Sequence, residues 1–306
     1  MNVKYQTFFA AIVLAIGGVA QADEKPEIDV LILAGQSNMV GGAKVIDTPA
    51  HLQEYVLENP AILQRSWING EDWDDDWHNL EPRGQWLGPE MMLGHVLSDA
   101  LPGRQFAFMK VAYNGTNLGC SWDPDGCGQN LYQQMCELVD LWEEQLEDMG
   151  WDPNFVGFIW VQGEGDCSAE WAAKRYDENL EQLFSGVRFQ TGNASLACVA
   201  AKVNPIGKSE GSYLYKDIYH AAVDSVVAAD GNAAAVNCKT VALRDDLVHF
   251  SSEGMLEVGA ALGDAFLALD PFDTGTETPC RSDINNNGQV EIMDLLVLLG
   301  DIGPCP

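Results

Sequence analysis

Positive charge is scarce in this chain: 16 Lys and Arg stand against 46 Asp and Glu over 306 residues, a formal charge of −30 at pH 7. A phosphate-bearing partner would be repelled, so neither nucleic acid nor an anionic membrane surface is expected as a partner. A neutral polysaccharide is indifferent to that charge. Long apolar runs are scarce as well. Phe8 to Val19 spans roughly 12 residues, short of the ~20 that a membrane-spanning helix needs, and no later run is both longer and free of charge. Histidine occurs five times, and no spacing of cysteine and histidine resembles a zinc site.

What is present begins with Lys4, the apolar run and then Ala20-Gln21-Ala22, the pattern of a secretory signal peptide over residues 1–22, cut before Asp23. The mature chain is therefore expected to be secreted or associated with the cell surface. About 284 residues remain after that cut, enough for one large domain with a core and a small appendage. Eight cysteines, an even number in an oxidising compartment, read as disulfides. Cys120 with Cys127 and Cys280 with Cys305 are the expected local pairs, and Cys136, Cys167, Cys198 and Cys238 leave three pairings open.

From Ile28 onward, short apolar runs alternate with amphipathic stretches. Val30 to Leu33, Phe106 to Val111, Val156 to Val161 and Leu196 to Val203 read as buried strands. Pro89 to Leu101, Leu131 to Met149, Glu170 to Arg188 and Tyr213 to Ala229 have helical spacing, and Ser252 offers an N-cap for a last helix to about Leu269. This alternation predicts an α/β fold, a three-layer α/β/α sandwich on a parallel sheet, over residues 23–271. Gly42 to Trp86 breaks the rhythm with Trp67, Trp73, Trp77 and Trp86 around three consecutive aspartates. It reads either as a cleft wall with aromatic platforms for sugar rings or as a surface lobe covering the sheet edge. Residues 272–279 read as a Thr/Gly/Pro/Glu linker to a tail at 280–306.

Active sites of open parallel sheets form beyond the carboxyl ends of the strands. Ser37 stands there, directly after the first strand, where its hydroxyl can face a cleft and nearby backbone N–H groups can face a developing oxyanion. A serine in a turn is usually only a cap, so a base is required. Of the histidines, His249 alone follows the last strand with a carboxylate close by. In Asp246-Leu247-Val248-His249 the acid can accept from ring Nδ1–H and leave Nε2 free for the serine proton. Asp245 adjoins, and the bland reading is an acidic surface turn. The Gly-x-Ser-x-Gly elbow is missing, because position 39 is Met.

Four blocks in order, Gly35-Gln36-Ser37-Asn38-Met39, Ala112-Tyr113-Asn114-Gly115-Thr116, Trp160-Val161-Gln162-Gly163-Glu164-Gly165-Asp166 and Asp246-Leu247-Val248-His249-Phe250, resemble the SGNH hydrolase superfamily. The likeness is to its sialate O-acetylesterase-like group, which includes the acetylxylan esterases of carbohydrate esterase family six. The resemblance implies a flavodoxin-like fold and an esterase with Ser37 as nucleophile, His249 as base and then acid, and Asp246 as its orienting partner. It implies Ser37, Gly115 and Gln162 as oxyanion donors, with Asn38, Glu164 and Asp166 in support. Glu164 and Asp166 read as a hydrogen-bonded scaffold behind Gln162 in preference to a glycosidase pair. Relatives usually carry Gly-Gly-Thr where Asn114 precedes Gly115 here. Acetylated polysaccharide of the acetylxylan type is the expected substrate, with sialate or another acetylated glycan as the alternative and a catalytically silent carbohydrate-binding or scaffold-associated protein as the reading of another class. No cofactor is expected for catalysis.

In the tail, Asp283, Asn285, Asn287, Gln289, Glu291 and Asp294, with Gly288 between, follow the spacing of a calcium loop and resemble one repeat of a dockerin. Calcium is expected there, and with it a cohesin-like or cell-surface partner.

Overall fold

The computed structural model describes residues 25–123 and 128–272. The expected signal peptide, the expected linker from residue 273, the six positions of the expected calcium loop, and Cys127, Cys280 and Cys305 lie outside the described residues.

The first strand, β1 (Glu27–Gly35), is buried at every position after Glu27, as a strand covered on both faces must be. A single helical turn, α1 (Ser37–Val40), follows, and then the tryptophan-rich lobe with β2 (Ala43–Lys44), β3 (Asn59–Ile68), β4 (Glu71–Asp72), β5 (His78–Leu80) and β6 (Trp86–Leu87). The chain continues through α2 (Glu90–Ala100), β7 (Phe106–Ala112), α3 (Leu131–Asp148), β8 (Asp152–Val161), α4 (Glu164–Cys167), α5 (Glu170–Ala173) and α6 (Tyr176–Gln190). It closes with β9 (Ala197–Lys202), α7 (Lys216–Ala229), β10 (Ala233–Asn237) and α8 (Ser252–Ala268).

The main sheet runs β10-β9-β8-β1-β7-β3-β4, with β5 also on β3. Every pairing from β10 to β3 is parallel, and β4 and β5 add antiparallel edges. Side chains alternate across a strand, and neighbours on β8 show the layers. Gly157 is bare against Phe266 of α8, whereas Phe158 meets Phe184 of α6 edge to face at 6.1 Å. Helices therefore cover both faces, as the alternating pattern predicts.

The register fixes where chemistry can assemble. Gly35 stands level with Ala112 on one side and Val161 on the other, so the turns after β1, β7 and β8 leave the sheet side by side. Gln36 N–H donates to the Val161 carbonyl at 3.0 Å and Tyr113 N–H to the Gly35 carbonyl at 3.1 Å. Gly35, at φ +150°, permits this approach, since a Cβ there would lie 2.1 Å from the Val161 oxygen.

Several expectations are corrected. Gly42 to Trp86 contributes a strand that the sequence pattern did not predict, because β3 is a full member of the sheet. Its Gln64, Arg65 and Ser66 are buried and hide the strand pattern; Arg65 is met by Asp72 at 2.7 Å and Gln145 at 3.1 Å, and Ser66 by Asp74. The helix expected over Glu170 to Arg188 breaks at Lys174-Arg175, where the chain turns Tyr176 into the core to accept from Trp160 Nε1 at 3.0 Å. The N-cap of α8 is Ser251, whose Oγ accepts from Gly254 N–H at 3.1 Å. Ser252 instead donates to the Lys44 carbonyl at 2.8 Å. Cys136, Cys167, Cys198 and Cys238 are free thiols, against the expectation that they pair. Cys198 lies opposite Ala233 on β10, so Cys238 is five residues further along, roughly 16 Å away and beyond disulfide reach.

Candidate active site

Ser37 opens α1 immediately past the end of β1, and its Oγ lies 3.0 Å from His249 Nε2. His249 Nδ1 lies 3.0 Å from Asp246 Oδ2. The other oxygen of Asp246 accepts the backbone N–H groups of Val248 and His249, both at 2.9 Å, which folds the Asp-x-x-His segment into a closed turn. Partial burial acts to raise the Asp246 carboxyl, but the His249 backbone and ring and the Val248 N–H outweigh it and bring it down to about 2. Leu247, inside the turn, takes φ +60°, and its carbonyl accepts from Ile206 and Gly207 N–H at 2.8 and 3.0 Å. Asp246 and not its neighbour Asp245 meets the imidazole, and two other histidines are engaged elsewhere, His78 with Asp74 at 3.2 Å and His220 with the Val203 carbonyl at 2.8 Å.

Asn38 ties the two halves together. Its Nδ2 donates to Glu164 Oε1 at 2.5 Å and to the Val248 carbonyl at 3.3 Å, and its Oδ1 accepts Phe250 N–H at 3.0 Å. The serine turn and the histidine turn, far apart in sequence, are thus held by one buried amide. Glu164 accepts from the Asn38 amide and Asp166 from the Gln162 amide. Burial pushes Glu164 up to about 7 and Asp166 up to about 6, each moderated by the hydrogen bonds it accepts.

Gln162 departs from its expected place. It is fully buried and does not line the cleft; its Nε2 donates to Asp166 Oδ2 at 2.6 Å, Gln36 Oε1 at 3.0 Å and the Thr116 carbonyl at 3.3 Å. A buried carboxylate has captured the amide, and no N–H is left for a substrate oxygen. Gly115 does line the cleft, at φ +67°. Neither its backbone N–H nor that of Ser37 has an acceptor among the described residues.

The cleft above this chain of groups encloses about 780 Å³, within the range of small-molecule sites. Ser37, His249, Asn114, Trp86, Arg83 and Tyr213 stand on its walls. Of the four lobe tryptophans, Trp86 alone reaches it. Trp77 is buried, Trp67 packs on Tyr113 at 6.1 Å, and Trp73 lies under the Arg83 guanidinium at 4.7 Å.

The sequence reading missed a buried charge cluster beneath α1. Lys110 Nζ lies 2.7 Å from Glu90 Oε2, each side chain 4 % exposed. Burial draws Lys110 down from the usual lysine range, and Glu90 opposes this. Lys110 Nζ and Arg83 Nη2 both reach the Val40 carbonyl at 3.4 Å, and Arg83 also reaches that of Gly41 at 3.1 Å. A four-residue helix leaves its last carbonyls without partners, and these two cations supply them. The available signal was a single lysine inside the apolar run Phe106 to Val111, since a buried charge needs a partner.

Residues 27–268 match the family model described as carbohydrate esterase, sialic acid-specific acetylesterase. The chain belongs to that family. A probable carbohydrate esterase of Arabidopsis thaliana, At4g34215, is 24 % identical over 273 residues, covering 82 % of this chain and 98 % of the relative. The X-ray structure of that Arabidopsis protein superimposes with a TM-score of 0.63 at 23 % identity, covering 79 % of this chain and 99 % of the other. XAC1771, a carbohydrate acetylesterase from Xanthomonas citri, gives a TM-score of 0.56 at 16 % identity, covering 78 % of this chain and 55 % of its own. NanS gives 0.53 at 14 % identity, with 81 % and 98 % covered. At such identities the superpositions bear on the fold, a mixed α/β architecture on a mainly parallel sheet. The family assignment makes the chain a carboxylic-ester hydrolase of the acetylesterase kind.

Proposed function

We propose that this chain is an exported carbohydrate O-acetylesterase that works through a serine acyl-enzyme. The observation that carries the reading is the continuous line Ser37 Oγ, His249 Nε2, His249 Nδ1, Asp246, at 3.0 Å for each link, on the wall of the cleft. His249 takes the Ser37 proton as Oγ attacks the acetyl carbonyl, and the oxyanion rests on the free N–H groups of Ser37 and Gly115. His249 then gives the proton to the departing sugar oxygen. Water, deprotonated by the same ring, attacks the acetyl-enzyme and releases acetate, returning the proton to Ser37.

Acetylxylan-type polysaccharide is the proposed substrate, supported by the dockerin-like spacing of the tail, whose oxygen donors also support calcium binding and a cohesin-like or cell-surface partner there. Sialate is the second reading, favoured by the family's description and by Arg83 and Arg244 on the cleft wall. Hydrolysis of 4-nitrophenyl acetate by wild type and Ser37→Ala tests the mechanism: loss of turnover in the variant is expected, and equal rates would leave only a sugar-binding role. Acetate release from acetylated xylan beside O-acetylated sialic acid tests the substrate, and action on the latter alone rejects the xylan assignment.

A further inference from the structure

A second cavity of about 690 Å³ adjoins the cleft. The two share Arg244, whose Nη1 donates to the Gly42 carbonyl at 2.9 Å and so forms the ridge between them. The Asp246 to His249 turn separates them on the other side: His249 faces the cleft and Asp246 the second cavity. Gly42 lines the cleft and its neighbour Ala43 the second cavity.

Its lining is unusual for so acidic a protein. Three cations, Lys44, Lys208 and Arg244, face it, and none forms an ion pair with a described carboxylate. Asp47, Asp245 and Glu253 face it too, and their carboxylates accept no hydrogen bond from the described residues. Unpaired donors and unpaired acceptors therefore surround one space without neutralising one another directly. A purely anionic ligand would meet the carboxylates and a purely cationic one the ammonium and guanidinium groups. A ligand of many hydroxyls satisfies both, because each hydroxyl donates to a carboxylate and accepts from a cation. The volume falls in the range that holds a small ligand.

Resting on the proposed acetylesterase reading, we infer that the cavity beyond Arg244 is a sugar-binding subsite that takes the units of a glycan next to the acetylated one, so that the substrate is a chain and not a free monosaccharide.

The test compares kcat/KM on acetylated mono-, tri- and hexasaccharides of xylose, glucose and mannose, with 4-nitrophenyl acetate as the size-independent reference. In at least one series kcat/KM is expected to rise about tenfold from mono- to hexasaccharide, mainly through KM, the gain of a few added hydrogen bonds. In Lys208→Ala and Asp47→Ala the ratio of hexasaccharide to monosaccharide kcat/KM is expected to fall toward one. The inference is overturned if no series gains with length, including by lack of turnover of every oligosaccharide. It is equally overturned if both variants keep the full length gain. Failure of the underlying reading looks different: Ser37→Ala would still hydrolyse 4-nitrophenyl acetate.

Discussion

Replacing Lys110 by Met probes the charge cluster under the nucleophile turn. Met matches the length of the lysine stem, so packing is nearly preserved while the charge is lost. What remains is the Glu90 carboxylate, 4 % exposed and deprived of an ammonium 2.7 Å away. It has little room to move, since Gly88 is bare against it and a Cβ at that position would lie 2.2 Å from Glu90 Oε2. Removing one partner of a buried pair costs about 3–5 kcal/mol, far more than the apolar methionine returns. For a domain of this size each kcal/mol moves Tm by about 2–4 °C, so a fall of about 6–20 °C is expected in calorimetry. Lys110→Met/Glu90→Met removes both charges and should recover most of that loss. A single variant within about 1 kcal/mol of wild type, or a double variant as unstable as the single, refutes the reasoning. Activity on 4-nitrophenyl acetate, measured well below Tm, should also fall in the single variant, because Lys110 no longer reaches the Val40 carbonyl behind Ser37.

Further outcomes follow from the same geometry. Glu164, held at about 7, binds its proton more tightly in the folded chain than at its ordinary value of 4.5. The associated stability is complete below about pH 4.5 and is lost as pH rises through about 7, so wild-type Tm should drop from pH 5 to 8 relative to Glu164→Gln; parallel curves would contradict this. Gly35→Ala should lose at least roughly 1–3 kcal/mol to backbone strain, with the Val161 carbonyl adding a clash, and chemical denaturation would reveal a tolerant site if the midpoint stays put. Chelation should leave the 4-nitrophenyl acetate rate unchanged, and complete inactivation would place a metal in the catalytic step.

The strands and most helices were legible because burial on both faces leaves an unbroken apolar run, as in β1, and burial on one face leaves helical spacing, as in α3. The inner strand β3 was not, since its buried polar residues Gln64, Arg65 and Ser66 break the apolar run, and Arg65 and Ser66 meet their partners only after folding. Ser37, Asp246 and His249 were readable from local chemistry: a serine after a strand, and an acid three residues before a histidine. Gln162 misled because its type suits an oxyanion donor, while Asp166, which captures its amide, is only four residues away and turns back through α4. Nothing in local sequence joins Arg83, Glu90 and Lys110, whose meeting depends on the lobe wrapping beneath α1.

The hydroxyl and the imidazole that meet at 3.0 Å are 212 positions apart in the chain. During synthesis the alcohol emerges early, and the ring arrives much later, just ahead of α8. Until α8 seats against α2 and the turn before it is fastened by Asn38, the nascent polypeptide holds Ser37 without its imidazole partner. On the proposed mechanism, ester cleavage reports completion of the chain through residue 249: a product cut short before it keeps the sheet strands up to β10 and is expected to be inert.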